Sequence, residues 1–413
     1  MKESGFFVRL FNPGSSYHGI IYLVAPLGIS YYTLSLIGYI CDVYWGVQKA
    51  ETNVFKFILF GSYFPLLTSG PIVKYRETGK ALFEERSFSF EDMCFGFQRI
   101  FWGLFKKLVI SERIAIIVNA IYENPAAHPG AQIWFATGMF VMQLYTDFSG
   151  CIDIVLGISQ LFGICLPENF SVPFSSRTLS EFWRRWHITL GEWLKEYVLY
   201  PVLKSDLFIR LGTSCRKVFG KKVGRKIPTY IGLFISWFLI GFWHGGSWNY
   251  IIGVGLYMWF IMVISDILKP LFNRINTSFH IRTECFSYRL FQYGRTFVLF
   301  MLGLGFFRAP SFRSGLRIYR YGIGSLNLSG LSMSSIMALG LTRSDLLILA
   351  GSMLILFVVG VVRLYVKVPV RVWISSQNIW FRWVVYLALI FATILYGVYG
   401  GQYDISTFIY QHF

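Results

Sequence analysis

The sequence predicts an all-α, polytopic membrane protein, and three observations carry that prediction. Of 413 residues, 55% are hydrophobic and 19% are aromatic. Only 14% are charged, against about 25% in a soluble globular domain. Several apolar runs approach or exceed the roughly 20 residues that cross a hydrocarbon core, where every backbone amide must be satisfied inside a helix.

In chain order the candidate spans are 19–41, 53–73, 94–121, 132–146, 151–166, 228–243, 250–268, 290–307, 345–366 and 380–400. They amount to about ten transmembrane or re-entrant helices in a single membrane domain over 1–413. Met1 to His18 is mixed and polar, without the apolar core and small-residue cleavage site of a signal peptide, so the first span is expected to act as its own insertion signal. The runs 132–146 and 151–166 are parted by Asp147, Phe148, Ser149 and Gly150. The stretch 167–200 mixes Pro, Arg, Glu and Trp too densely for a lipid-facing helix. It reads as an amphipathic helix that starts near Ser180, with Trp183, Trp186 and Leu190 on one face.

Between 204 and 226 lie eight basic residues and one acid, Asp206. Short basic loops mark the cytoplasmic side of a polytopic protein, so this loop is placed there. Alternate crossings then put 308–344 outside, although its five arginines argue for the inside, and that conflict predicts a re-entrant or additional span. The same distribution disposes of a nucleic-acid role for the net charge of +17: the basic residues sit in loops beside apolar runs, where anionic lipid is the partner. Six scattered cysteines without CxxC spacing read as reduced, packed thiols. No internal repeat of the transporter kind is visible.

Ionisable groups at membrane depth are costly and are functional candidates by default. Three places qualify: Tyr145 to Gly150 with Asp153, Arg184-Arg185-Trp186-His187, and Trp243-His244-Gly245-Gly246. His244 ends the apolar run IGLFISWFLIGFW, and the two glycines let the backbone turn and leave room beside the imidazole. A histidine can take a proton from a hydroxyl near neutral pH, as a general base in acyl transfer must. The plainer reading makes His244 a hydrogen-bonded helix-end residue. His187, beside two arginines and two tryptophans, reads more simply as a residue that packs at an interface or bonds a headgroup, and Asp147 as an ion-pair partner of Arg184 or Arg185. Ser149 has no nucleophile elbow around it. Metal, phosphate-loop and dinucleotide motifs are missing from the sequence, so no metal site is expected.

Together these stretches resemble the membrane-bound O-acyltransferase (MBOAT) family, in particular its bacterial alginate O-acetyltransferase branch. The resemblance rests on PLGISYYTLSLIGYICDVYWG at 26–46, FPLLTSGPIVKYRE at 64–77, YTDFSGCIDIVLGISQLFGICLPENFSVPF at 145–174, SEFWRRWHITLGEWLKEYVLYP at 180–201, GFWHGGSWNYIIGVGLY at 241–257 and YGGQYDISTFIYQHF at 399–413. It implies helices around a central funnel or tunnel, through which an acyl group passes from a cytoplasmic thioester to a hydroxyl beyond the membrane. The family's essential histidine falls on His244 and its second on His187. Trp183, Trp186 and Trp243 would wall the passage, with Arg184, Asp147 and Asn169 positioning groups near it.

The resemblance further implies acetyl-CoA or another acyl thioester as donor substrate and no permanently bound cofactor. The acceptor would be an extracytoplasmic polysaccharide, reached directly or through an SGNH-hydrolase-like partner protein, and the location a bacterial cytoplasmic membrane. Teichoic-acid D-alanyl transfer is the alternative chemistry. A glycan or lipid transporter, or a silent scaffold for a partner acetylesterase, are the alternatives without it. Family members usually carry further hydrophobic helices before PLGIS, so the N-terminal helices are expected to be missing or shortened here.

Overall fold

The computed structural model describes residues 28–366 and 368–399. The start of the expected span 19–41 and nearly all of the stretch 399–413 lie outside the described residues. Helices account for all the regular structure among them, with no strand element. Five helices are long and apolar enough to cross a membrane: Gly130–Leu161, Trp248–Ser278, Phe286–Arg308, Arg343–Tyr365 and Ile379–Tyr396. A sixth span is possible in length and composition if Asp206–Gly224 and Ile227–Trp243, which meet at 88°, form one bent crossing. The chain is a multi-pass membrane protein.

The chain folds as two compact units. The central unit is Pro173–Gly315, and the flanking unit is Tyr31–Val172 with the chain from Leu316 onward.

The flanking unit is built on two long helical runs. The first starts at Phe90 behind Ser89, whose side chain accepts from the Asp92 amide while Glu91 and Asp92 sit in the positive first turn. It continues through a π-helical segment, Phe105–Ser111, into Glu112–Glu123. The second is Gly130–Leu161, 32 residues and about 48 Å long at 1.5 Å per residue. It closes on Gly163 at φ +69°, with the amides of Gly163 and Ile164 returned to the carbonyls of Gln160 and Ser159.

Glycines let the two backbones touch. A Cβ on Gly103 would lie 2.5 Å from the Gly150 carbonyl, and one on Gly96 would lie 2.8 Å from that of Gly157. The seven-residue spacing on both helices is the small-residue packing of membrane helices, where close approach replaces the hydrophobic drive available in water.

Four expectations are corrected here. The spans 132–146 and 151–166 are one helix, because Gly150 packs on Gly103 and Asp147 is neutralised where it lies, 2.6 Å from Lys107. The span 53–73 is an eight-residue helix, Val54–Gly61, followed by the short turn Phe64–Leu66; Pro65, Gly70 and Pro71 break the remainder of the run. The stretch 308–344 adds no span, but carries the amphipathic helix Phe312–Gly324 and two short helical turns. Among the cysteines, Cys165 is exposed, which departs from the packed thiols expected, whereas Cys151 and Cys215 are buried.

In the central unit, Ile227–Trp243 starts with Pro228 in its first turn. After a tight turn the chain re-enters a helix at Trp248 and passes through the π-helical segment Ile251–Leu256 into Tyr257–Ser278. The two arms are pressed together at Gly241 and Gly255, where a Cβ would lie 2.6 Å from the Ile251 Cα and 2.4 Å from the Trp237 carbonyl. The amphipathic helix expected across 180–200 is broken. Thr178, rather than Ser180, caps Leu179–Phe182, the chain then turns, and a new helix starts at Ile188.

Candidate active site

His187 is the break point. It sits at φ 48°, ψ 53° and serves as the N-cap of Ile188–Leu194, its carbonyl accepting from the Gly191 amide at 3.2 Å. A left-handed conformation is uncommon for a residue with a side chain and clusters at functional sites. It ends the helical line of the tryptophan face, and His187 is 4% exposed. His187 itself lies outside the candidate spans. Burial, and secondarily the neighbouring His244, hold its pKa well below the ordinary value, so the ring is neutral at pH 7.

His244 is the C-cap of Ile227–Trp243, with φ −73° and ψ 1°, and its amide returns to the Ile240 carbonyl at 3.1 Å. Gly245 at φ +139° and Gly246 at φ +68° then reverse the chain, conformations a Cβ would strain. Asn249 fixes the return by donating from Nδ2 to the Ala309 carbonyl at 2.9 Å, just past Phe286–Arg308.

These ends converge on one aromatic row. The Trp243 indole meets both imidazoles edge-on, its ring centroid 6.1 Å from that of His187 and 4.8 Å from that of His244. Phe307 meets His244 edge-on at 5.4 Å, and Tyr250 meets Phe307 at 5.2 Å. Two neutral-capable nitrogen bases are thus buried among rings that exclude water. That suits proton transfer at a dry carbonyl.

Trp186 is buried, stacked on Phe182 at 5.5 Å and tilted to Phe300 at 5.2 Å. Trp183 meets Trp237 edge-on at 4.8 Å, and its indole N–H is buried without an acceptor among the described residues. Arg184 is exposed. The engaged arginine is Arg185, ion-paired to Glu181 at 2.7 Å and donating to Ser175 Oγ at 2.6 Å.

Asp147 and Asn169 belong to the flanking unit, each at most 1% exposed. Asp147 is ion-paired as the sequence allowed, but with Lys107, not Arg184 or Arg185. Sequence reasoning missed Arg99, Lys106 and Lys107, which hold Asp147 and Asp153. The signal was there: two adjacent lysines inside the apolar run 94–121 are as costly at membrane depth as the carboxylates singled out. It also missed Phe307 and Tyr250, since an aromatic in an apolar helix carries no mark of its partner.

The model of the membrane-bound O-acyltransferase family matches residues 47–213, a stretch that contains His187. The chain is 31% identical over 325 residues to the probable alginate O-acetylase AlgI of Pseudomonas syringae pv. tomato, covering 78% of this chain and 56% of that relative. It is 29% identical over 360 residues to the peptidoglycan O-acetyltransferase of Helicobacter pylori, covering 80% and 63%. To the teichoic acid D-alanyltransferase of Bacillus subtilis it is 32% identical over 241 residues, covering 57% of each chain. The chain therefore spans a little over half the length of the curated relatives it matches. It belongs to the membrane-bound O-acyltransferase family, in its alginate O-acetyltransferase-like branch.

Proposed function

We propose that this protein is an O-acyltransferase that moves an acetyl group from a cytoplasmic thioester, acetyl-CoA or an acyl carrier, to a hydroxyl beyond a bacterial cytoplasmic membrane. The observation that carries the reading is the pair of buried imidazoles that both meet the Trp243 ring. His244 Nδ1 or Nε2 takes the acceptor's hydroxyl proton as its oxygen attacks the thioester carbonyl. The tetrahedral oxyanion then collapses, the C–S bond breaks, and the imidazolium returns the proton to the departing thiolate. No acyl-enzyme is formed. The oxyanion needs a donor, and the buried Trp183 N–H is assigned that role. Trp186 and Trp243 wall the passage against water, which would otherwise hydrolyse the donor. His187, neutral by burial, holds the acceptor or its partner base in register.

The acceptor is a polysaccharide or peptidoglycan hydroxyl, reached directly or through an SGNH-hydrolase-like partner. Similarity to alginate and peptidoglycan O-acetyl-transferring relatives supports this over D-alanyl transfer. The D-alanyl reading keeps a specific support, the 32% identity to a teichoic acid D-alanyltransferase, and keeps His244 as base.

The test is transfer from radiolabelled acetyl-CoA by the purified chain in lipid, with its partner where one is needed. Loss of a general base typically costs about 10²–10⁴-fold in rate. His244→Ala should fall by that much while still purifying as folded protein. Full activity of this variant would remove the assignment, and transfer from a D-alanyl carrier but not acetyl-CoA would select the second reading.

A further inference from the structure

The residues Tyr145, Ser149 and Asp153 are given no task in the acyl-transfer reading above, and in the flanking unit they line a cavity. The cavity is open on one side, and the space free of protein atoms in it and its mouth, open solvent included, is ≈ 470 Å³. Tyr145, Ser149 and Asp153 line it together with Lys106, Glu168 and Arg363. Lys106 Nζ donates to Ser149 Oγ at 2.8 Å and to Asp153 Oδ2 at 2.6 Å. Arg99 takes the other Asp153 oxygen at 3.0 Å and grips Glu168 with two bonds, at 2.7 and 2.6 Å.

Both lining carboxylates are thereby neutralised within the protein. The lining itself sets two cations, Lys106 and Arg363, against these two carboxylates, and Arg99, bonded to both carboxylates from behind the lining, brings the cations to three. Arg363 is the lining charge left without an ion pair among the described residues, and the cavity carries a net positive charge. A strong acceptor of hydrogen bonds with a negative charge is the group that fits it.

The wall of the cavity decides which molecules can reach it. Leu356, Val359, Gly360 and Arg363 belong to Arg343–Tyr365, a membrane-spanning helix of which only 11% of the most apolar stretch is buried. The remaining faces of that helix are apolar and open, the kind of surface that lipid covers. Arg363 lies in its last turn, where the hydrocarbon gives way to headgroups. Gly360 leaves the wall open, since a Cβ there would find only Val172 Cγ1, at 3.7 Å. Trp102 and Phe170 supply an apolar flank for the carbons next to a headgroup.

We propose that this cavity seats the phosphate headgroup of a membrane phospholipid, held by Arg363 at its mouth with Lys106 beneath. The assignment is independent of the acyl-transfer reading.

The full-length chain in detergent, titrated with dioleoylphosphatidylglycerol, tests it by native mass spectrometry for bound lipid and by melting temperature. Wild type should retain lipid and melt higher with it. Arg363→Gln should lose retention roughly fivefold, the scale of one cation at a lipid surface. Gly360→Leu should lose it too, with every charge in place. Arg343→Gln removes the same charge from the opposite end of the same helix and should retain lipid like wild type. Equal loss in Arg343→Gln, or undiminished retention in both Arg363→Gln and Gly360→Leu, would overturn the site. Stabilisation of the same size by sn-glycerol 3-phosphate, also lost in Arg363→Gln, would overturn the lipid assignment in favour of a soluble phosphate ester. Melting of each variant without lipid reports whether it has folded.

Discussion

In the flanking unit Lys107 is buried between Asp147 at 2.6 Å and Glu112 at 2.7 Å, whereas in the central unit His187 and His244 are buried against the rings of Trp243 and Phe307. The first arrangement fixes each group's charge. A lysine held by two carboxylates cannot give up its proton without leaving both anions facing an apolar interior. In the second the rings that meet the imidazoles carry no charge and so do not themselves fix a protonation state. Burial of ionisable groups thus has two meanings in one chain: cross-linking of helices in one unit, and, on the proposed reading, proton chemistry in the other.

The largest expected effect tests the structural half of that contrast. Lys107→Met removes the cation that Asp147 and Glu112 share, and breaking a buried pair in this way typically costs about 3–5 kcal/mol. The variant should melt far below wild type in detergent, with transfer activity lost only as the folded fraction falls. His244→Ala should do the reverse. A Lys107→Met protein that melts like wild type would show that the network is not what holds the two helices, and the contrast would fail.

Lys106→Met sharpens the same point with a smaller effect. Asp153 keeps Arg99 at 2.9 Å when Lys106 is gone, so its charge stays compensated, and the loss should fall at or below about 3 kcal/mol. Differential melting of the two variants side by side checks the order. If Lys106→Met were the worse of the two, the carboxylate count around each lysine would not be what sets stability.

The contrast also explains what was legible in the sequence. Membrane class, the position of His244 at the end of an apolar run, and the unusual chemistry of 167–200 could all be read, because each depends on local composition and spacing. Asp147 and Asp153 stood out as costly, but their partners could not be assigned. Lys106 and Lys107 reach carboxylates six residues apart on another helix only because the π-helical segment Phe105–Ser111 and the glycine contacts at Gly103 and Gly150 set the register. The break at His187 was hidden for a related reason. Trp183, Trp186 and Leu190 keep a helical spacing that a left-handed residue interrupts, and no pattern of apolar residues encodes a positive φ at a histidine.

The smallest effect concerns acid. Burial lowers the folded-state pKa of His187 below the 6.5 of an unperturbed ring. Between that lowered value and 6.5 the unfolded chain binds a proton that the folded chain does not, so stability is complete above pH 6.5 and declines as pH falls below it. The slope can reach about 1.4 kcal/mol per pH unit for one such group. Melting curves at pH 7.5 and 5.5 should therefore differ by more in wild type than in His187→Gln, whose side chain does not titrate. An equal acid sensitivity in the two proteins would place the titrating group elsewhere and remove the reason for treating His187 as neutral. A reduced sensitivity with transfer retained would separate a positioning role for His187 from the base function assigned to His244.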